Sequence, residues 1–470
     1  MKRSYIFGLL FSISFYVSSQ SVNKTPVNIL VIMADDMSKS AGIYGDKVIH
    51  TPGIDNVGKE GVIFDHAYCT ASSCSPSRAS ILTGMYPHQL EEGGNLWGTL
   101  PVKYPNYASI LEENGYQVGI EGKGWGPGNF RAGGYEKNPA GEDYPNFEEF
   151  MDKLPKGKPF CFWVGSHDPH RPYYPELKNS YDITEDSISL PPWLPENPIV
   201  IGDMVDYYAA SKRFDQRVEK VITELKEKGL YDQTFIIITS DNGMPFARIK
   251  ANDYEQSTNV PLVIRWGNHL NNGERIDSFV SLMDLAPTIL DVTGIKIPSQ
   301  MEGKSLLPML KNKKYDKKRV IFTERERHAK VRKNNVGYAI RSIRTKNYLL
   351  INNLQPDRWP AGDPVNTEKT GFYGDIDDGP SKGFLLANID NEKYRKLVAL
   401  SVAKRPTVEL YLLTKDPYQL INLAYDSRYQ KIKKKLLKKL HNWQKETNDP
   451  LLNSQNDIFD TYPNYSDKKN

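Results

Sequence analysis

Four apolar runs in this chain each stop on a cluster of polar or charged residues, and that pattern narrows the folds open to it. Asn28-Ile29-Leu30-Val31-Ile32-Met33-Ala34 runs into Asp35-Asp36, and Thr234-Phe235-Ile236-Ile237-Ile238-Thr239-Ser240 runs into Asp241-Asn242-Gly243. Between them, residues 158–165 end at Ser166-His167-Asp168-Pro169-His170, and Val118-Gly119-Ile120-Glu121-Gly122 ends at Lys123. Continuous β-branched and apolar runs predict strands buried on both faces, as parallel sheets require. In open α/β sheets the carboxyl ends of the strands border the ligand crevice. The four polar endings therefore predict one site gathered from distant stretches of sequence.

Helical segments separate these strands. Residues 108–115 read as a helix with a glycine stop, and residues 206–229 carry Val218, Val221, Ile222 and Leu225 at helical spacing before Gly229. The alternation predicts an α/β fold with a mostly parallel central sheet flanked by helices. Past residue 310 the texture changes. A basic linker at 311–318 precedes short strand-like segments at 319–323, 337–341 and 348–351, then a helix around Ile432, Leu436, Leu440 and Trp443. We expect a first domain over 20–310 and a smaller C-terminal α+β domain with a short antiparallel sheet over 319–461. The Lys-rich face of the last helix reads as a solvated surface, and residues 462–470 as a loose tail.

The formal charge of +4 over 470 residues is nearly balanced and gives no electrostatic case for a nucleic-acid partner. Lys2 and Arg3 precede an apolar stretch from Ile6 to Val17, with Ser18 and Ser19 following. A basic start, a short apolar run and small residues describe a cleavable secretory signal over 1–19, and hence a periplasmic or secreted protein. That run is short for a membrane span, and no later segment is long and apolar enough for one. The three cysteines, Cys69, Cys74 and Cys161, are too few for a disulfide framework, so Cys69 and Cys161 read as small buried residues.

Cys74 stands apart. Pro76 occupies a position where helices begin, Ala79-Ser80-Ile81-Leu82 continues one, and Thr83-Gly84 ends it. A thiol just ahead of a helix N-terminus and four residues from Arg78 sits in a field that favours anions. The same residues also suit a helix start with an incidental thiol. In fuller context, the run Cys74-Ser75-Pro76-Ser77-Arg78-Ala79-Ser80-Ile81-Leu82-Thr83-Gly84 resembles the signature of the type I sulfatases, whose cysteine is converted to formylglycine. The resemblance extends through Asp35-Asp36, Gly122-Lys123, Asp241-Asn242-Gly243, Asp284 to Leu290, Gly303 to Pro308 and Glu409-Leu410-Tyr411. Ser73 to Arg78, His167-Asp168-Pro169-His170-Arg171, and Trp443 with Glu446-Thr447-Asn448-Asp449-Pro450 are similar to the heparan N-sulfatase branch, whose bacterial relatives act on sulfated polysaccharides.

That resemblance implies an alkaline-phosphatase-like fold and a hydrated aldehyde at Cys74, one hydroxyl of which attacks sulfur while the other later expels sulfate. It implies a single calcium ion held by Asp35, Asp36, Asp241, Asn242 and the modified Cys74, all offering oxygen, as a hard cation prefers. Arg78 would stabilise the hydrated aldehyde, Lys123 and Lys250 would bind sulfate oxygens, and His170 would protonate the leaving atom, with His167 an alternative acid or a loop brace. The partners implied are a sulfated carbohydrate and a formylglycine-generating or anaerobic maturation enzyme.

Two positions depart from the family pattern: Trp125 stands where relatives carry the histidine that deprotonates the covalent adduct, and Met85 where a basic residue is common. Trp125 reads as a substrate-stacking or wall residue. His88, Trp97, Arg171, Tyr173 and His328 are candidate sugar contacts, each equally open to a packing role. The leading expectation is O-sulfate hydrolysis on an algal polysaccharide such as ulvan or on a glycosaminoglycan. N-sulfate cleavage from glucosamine is the alternative. A phosphodiester or phosphonate hydrolase is disfavoured by the Cys74 signature, and an inactive glycan binder has Trp125 as its support.

Overall fold

The computed structural model describes residues 26–174, 176–270, 272–312, 315–365, 371–452 and 457–466, so the expected signal over 1–19 lies outside the described residues. Eight strands form the central sheet: β1 (Asn28–Ala34), β2 (Val62–Phe64), β3 (Gln117–Gly122), β4 (Glu142–Asp143), β5 (Phe160–Gly165), β6 (Thr234–Ser240), β7 (Leu262–Arg265) and β8 (Glu274–Ile276). Their order is β8-β2-β7-β6-β1-β5-β3-β4, and only the pairings of β7 with β2 and β6 are antiparallel. β1 lies between β5 and β6, with Leu30 beside Phe162 and Ile236.

The apolar run of β1 serves two cores. Ile29, Val31 and Met33 join one buried cluster, while Leu30, Ile32 and Ala34 join another on the opposite face. This two-sided burial explains why the run has no polar alternation. Each fully buried Leu or Ile contributes roughly 1.5–3 kcal/mol. On the first face lie α1 (Cys74–Thr83), α2 (Tyr107–Glu113) and α4 (Leu285–Thr293), through Ile81, Leu82, Leu111 and Ile289. The second face is covered by α3 (Pro198–Glu227), through Phe214, Val218 and Val221. α3 starts earlier than the periodicity predicts, because the Asn197 side chain accepts from the Ile199 amide and Pro198 opens the first turn.

A separate antiparallel sheet follows, in the order β9 (Ile321–Arg325), β10 (Ile340–Arg344), β11 (Tyr348–Asn353) and β12 (Val408–Leu412). β9 and β10 lie two to three residues beyond the expected segments because the added residues carry buried charge: Glu324, Arg325 and Arg344 are all buried. α5 (Gln430–Glu446) lays Leu436, Leu440 and Trp443 on Ile343, Leu350 and Leu410 of this sheet. The expected loose tail is tied down as far as it is described. Arg327 Nη2 donates to the carbonyls of Tyr462 and Pro463 at 2.9 and 2.8 Å, and the Tyr465 amide donates to the Trp97 carbonyl. Among the described residues no helix is long and apolar enough to cross a membrane.

Candidate active site

The polar endings of β1, β3, β5 and β6 meet at one end of the sheet, as their spacing predicts. Register enforces this: Ala34 pairs with Ser240, and both Met33 and Gly122 pair with Gly165. Glycine is required here. A Cβ at Gly165 would lie 1.9 Å from the Lys123 carbonyl oxygen, and Gly122 has a φ of 68° with its missing Cβ 2.2 Å from the Gly165 carbonyl oxygen. This close approach sets Lys123 over the end of β1. Asp36, also at positive φ (70°), turns its amide to Asp241 Oδ1 at 3.1 Å.

Cys74 enters from the other side as the first residue of α1, rather than just ahead of the helix as expected. The Ser73 hydroxyl leaves that terminus uncapped, because it bonds His328 Nδ1 at 2.8 Å instead. Every residue of α1 is buried, so its amides and side chains face protein on all sides. The thiol lies 3.5 Å from Asp35 Oδ1, 3.9 Å from Asp36 Oδ1, 3.9 Å from Asn242 Nδ2 and 3.7 Å from Lys250 Nζ. Burial, then Asp35, push its pKa far up, overriding the expected acidifying field of the helix terminus. Without modification, Cys74 is a neutral thiol.

Three cations balance three buried carboxylates. Arg78 Nε donates to Asp241 Oδ2 at 2.7 Å, and its Nη1 donates to the carbonyls of Lys123 and Gly124 at 2.6 and 2.9 Å. Lys123 Nζ grips both oxygens of Asp35 at 2.8 and 2.6 Å, and Lys250 Nζ bonds Asp36. Burial raises the Asp35 pKa, but Lys123 and Arg78 outweigh it and hold the carboxyl well below its usual range. Burial likewise opposes the Lys250 ammonium, yet Asp36 keeps it firmly charged.

The donor set suits a hard cation. One carboxylate oxygen each from Asp35, Asp36 and Asp241 lies within 4.8 Å of the others. Asp36 Oδ2 is buried without a hydrogen-bond partner, and Asn242 presents its amide oxygen 3.5 Å from Lys250. An oxygen-only pocket with an orphaned carboxylate atom is what a bound calcium ion would complete.

His170 faces this cluster. Its Nδ1 bonds the Arg171 carbonyl, leaving Nε2 3.7 Å from Asp36 Oδ2. His167 sits at the rim, where partial desolvation lowers its pKa, with Asp35 opposing that shift and Lys123 adding to it. Sequence reading missed Asp377, whose carboxylate comes within 4.8 Å of donor atoms of Asp36 and His170. It arrives on the long segment between β11 and β12, which carries no local signal of its destination. Burial would raise the Asp377 pKa, but Lys250 and then His170 keep it ionised.

The expected sugar contacts divide. Arg171 is committed inward: its fork meets Asp203 at 2.6 and 2.7 Å, and its guanidinium lies 4.5 Å over the Tyr173 ring. Asp203 also accepts from the Ser381 amide, so this pair anchors the segment bearing Asp377. His88 is enclosed, its ring nitrogens bonded to Glu324 at 2.6 Å and Thr447 at 2.9 Å, out of reach of a sugar. His328 is buried against Ser73, with its pKa lowered by that burial to about 3. Trp125 is walled into the core at 3% exposure, its backbone clasped by Asn138, and Met85 is likewise buried. Trp97 contributes its carbonyl to the Tyr465 amide. Cys69 and Cys161 are buried free thiols.

Comparison with known proteins bears on the family and the fold. The family profile described as Sulfatase matches residues 27–295, and that described as N-sulphoglucosamine sulphohydrolase, C-terminal, matches residues 249–366. Human N-sulphoglucosamine sulphohydrolase is 29% identical over 474 residues, covering 91% of each chain. An ulvan-active sulfatase of Formosa agariphila is 27% identical over 447 residues, covering 92% of this chain and 82% of its own. A protein solved with its substrate D-glucosamine-2-N,6-O-disulfate shares the fold, with a TM-score of 0.66 at 21% identity over 92% of this chain and 100% of that one.

Proposed function

Because this chain belongs to the sulfatase family, we propose that it hydrolyses sulfate esters on a sulfated polysaccharide or its oligosaccharides, using a formylglycine made from Cys74 and one calcium ion. The reading is carried by the buried cluster in which the Cys74 thiol meets Asp35, Asp36, Asn242 and Lys250 within 3.9 Å. Asp35, Asp36, Asp241 and Asn242 would hold the ion beside the modified Cys74. When bound, the ion supplies positive charge that polarises the sulfate group.

The remaining roles fall to side chains. Arg78, fixed by three hydrogen bonds within 2.9 Å, offsets negative charge at the oxygen derived from Cys74. Lys123 and Lys250, whose Nζ atoms lie on Asp35 and Asp36 at the edge of the cluster, would bind sulfate oxygens. His170 Nε2 gives a proton to the departing oxygen, with Nδ1 anchored on the Arg171 carbonyl. Trp125 cannot take a proton, so the base for sulfate release is assigned to His167, whose lowered pKa keeps it neutral near pH 7. Asp377 accepts a hydrogen bond from a hydroxyl or ammonium next to the scissile group, and disfavours a second sulfate there. Export directed by residues 1–19 and oxidation of Cys74 by a maturation enzyme complete the reading.

A second reading, cleavage of N-sulfate from glucosamine, draws on the match of residues 249–366 and on the human relative. The test is sulfate release, followed by ion chromatography, from 6-O-sulfated and N-sulfated glucosamine, heparin oligosaccharides and ulvan oligosaccharides. Release from O-sulfated sugars supports the first reading, and release confined to N-sulfated sugar supports the second. No release from any of them by fully matured enzyme would sink both.

A further inference from the structure

A cleft of about 950 Å³ opens between the first sheet's edge and α5, and none of Asp35, Cys74, His170 or Asp377 lines it. Seven cationic side chains border it against two carboxylates, those of Asp277 and Asp316. Arg275 and Arg319 are already paired with Asp65 and Asp284. The other five, Lys317, Lys318, Lys346, Lys435 and Lys439, are exposed, and their side chains have no ion-pair or hydrogen-bond partner among the described residues.

These lysines converge from three separate elements: the 315–320 linker, the β10–β11 turn and α5. Lys435 and Lys439 are one helical turn apart on the same face of α5, about 5–6 Å between Cβ atoms. Lys435 and Lys439 lie within the roughly 8 Å screening length of physiological salt, and like charges gathered around one cleft repel one another unless an anion joins them. The whole chain carries only +4, so this is a local concentration of charge and not a general basicity. The sequence alone favours a solvated helix face, and the fold changes that by bringing the linker and turn lysines opposite it.

We propose that this cleft is a second binding site, separate from the active site, for a sulfated polysaccharide chain. Ammonium groups suit sulfates as compact point charges, and a row of them matches a polymer whose negative charges repeat. A nucleic acid fits less well, because strand binding draws on open aromatic platforms. Here Phe279 is 8% exposed, the Tyr315 hydroxyl is bonded to Glu274, and Tyr348 packs partly buried against the core of the second sheet. Holding one stretch of polymer in the cleft raises the local concentration of its other sulfates at the catalytic cluster. The identity of the polymer rests on the proposed activity, whereas the site itself does not.

The test compares the full chain with a triple variant, Lys318→Gln, Lys435→Gln and Lys439→Gln, whose exposed positions leave folding unchanged by thermal melting. Calorimetric titration with heparin oligosaccharide is run at several salt concentrations, beside dextran and a single-stranded oligonucleotide of matched charge. We expect the variant to bind heparin about tenfold more weakly, with the salt slope reduced by about two to three. Its kcat/KM should fall on sulfated polymer but stay within about twofold on a small aryl sulfate, whose binding does not reach the cleft. Unchanged heparin binding in the variant overturns the proposal, as does equal binding of dextran or tighter binding of the oligonucleotide by the unaltered chain. Failure of all sulfate turnover would overturn the proposed activity, and the heparin titration would still decide the cleft.

Discussion

His167 and His170 are assigned different steps although only two residues separate them and the His170 amide donates to the His167 carbonyl. His170 Nε2 faces Asp36, while His167 stands at the rim beside Asp35 and Lys123. With His170→Gln, the first release of aryl alcohol in rapid-mixing experiments should slow by about 10²-fold. With His167→Gln, the first turnover should keep its burst while steady-state turnover falls by a similar factor. A missing burst in His167→Gln would remove it from the release step. His328 gives a second residue-scale prediction. Its folded pKa of about 3 lies below the ordinary 6.5, so the unfolded chain takes the proton first. Its contribution to stability is complete above pH 6.5 and declines as pH falls from 6.5 towards 3. From pH 6.5 to 5 the wild type should lose about 2 kcal/mol more than His328→Gln in urea unfolding. Parallel losses would contradict that assignment. These roles were only partly legible in the sequence. Asp35, Asp241 and Lys123 announce themselves by ending apolar strands, whereas Asp377 lies in a segment without pattern and is found only through the Arg171–Asp203 anchor.

Elements differ in how openly their sequences report them. β1 and β6 were readable to the residue because two-sided burial leaves an unbroken apolar run. α1 was not, since a helix buried all round has no polar face to mark its period, and its cap residue is diverted to His328. β9 and β10 run past the expected segments because Glu324, Arg325 and Arg344 look like loop residues until their partners His88, Asp375 and Glu255 are known. The Thr447-Asn448-Asp449 segment after α5 supplies a partner for Arg341, while Glu324 is bonded by His88. Asp449 meets Arg341 at 2.6 and 3.0 Å, and Thr447 bonds His88 at 2.9 Å. Trp443 stacks on Phe322 at 4.7 Å between ring centres. This segment therefore clamps the second sheet to the loop after α1. Removing Asp449 strips buried Arg341 of its two-oxygen partner, leaving Glu326 at 2.6 Å and Glu324 at 3.7 Å to face its charge. Asp449→Ala should lower stability by about 3–5 kcal/mol in urea unfolding. A loss below about 1 kcal/mol would show that the clamp carries no such strain.

At the scale of the whole molecule, the strand ends of the first sheet and Asp377 from the segment between β11 and β12 meet at one cluster of charge, and the calcium ion proposed there should be felt throughout. Chelation of calcium should abolish sulfate release and lower the thermal midpoint. At a free concentration 100 times Kd, restored calcium should return about 2.7 kcal/mol. A thermal midpoint indifferent to chelator and calcium would remove the ion from the Asp35, Asp36 and Asp241 pocket. The proposed nucleophile is the aldehyde made from Cys74, whose own thiol is buried beside Asp35. Its most direct test is mass spectrometry of the Cys74 peptide across preparations made with graded amounts of maturation enzyme, plotted against sulfate release. The account predicts activity that rises in proportion to the fraction converted from thiol to aldehyde and vanishes when none is converted. Full activity in a preparation whose Cys74 peptide is entirely unmodified thiol would contradict it.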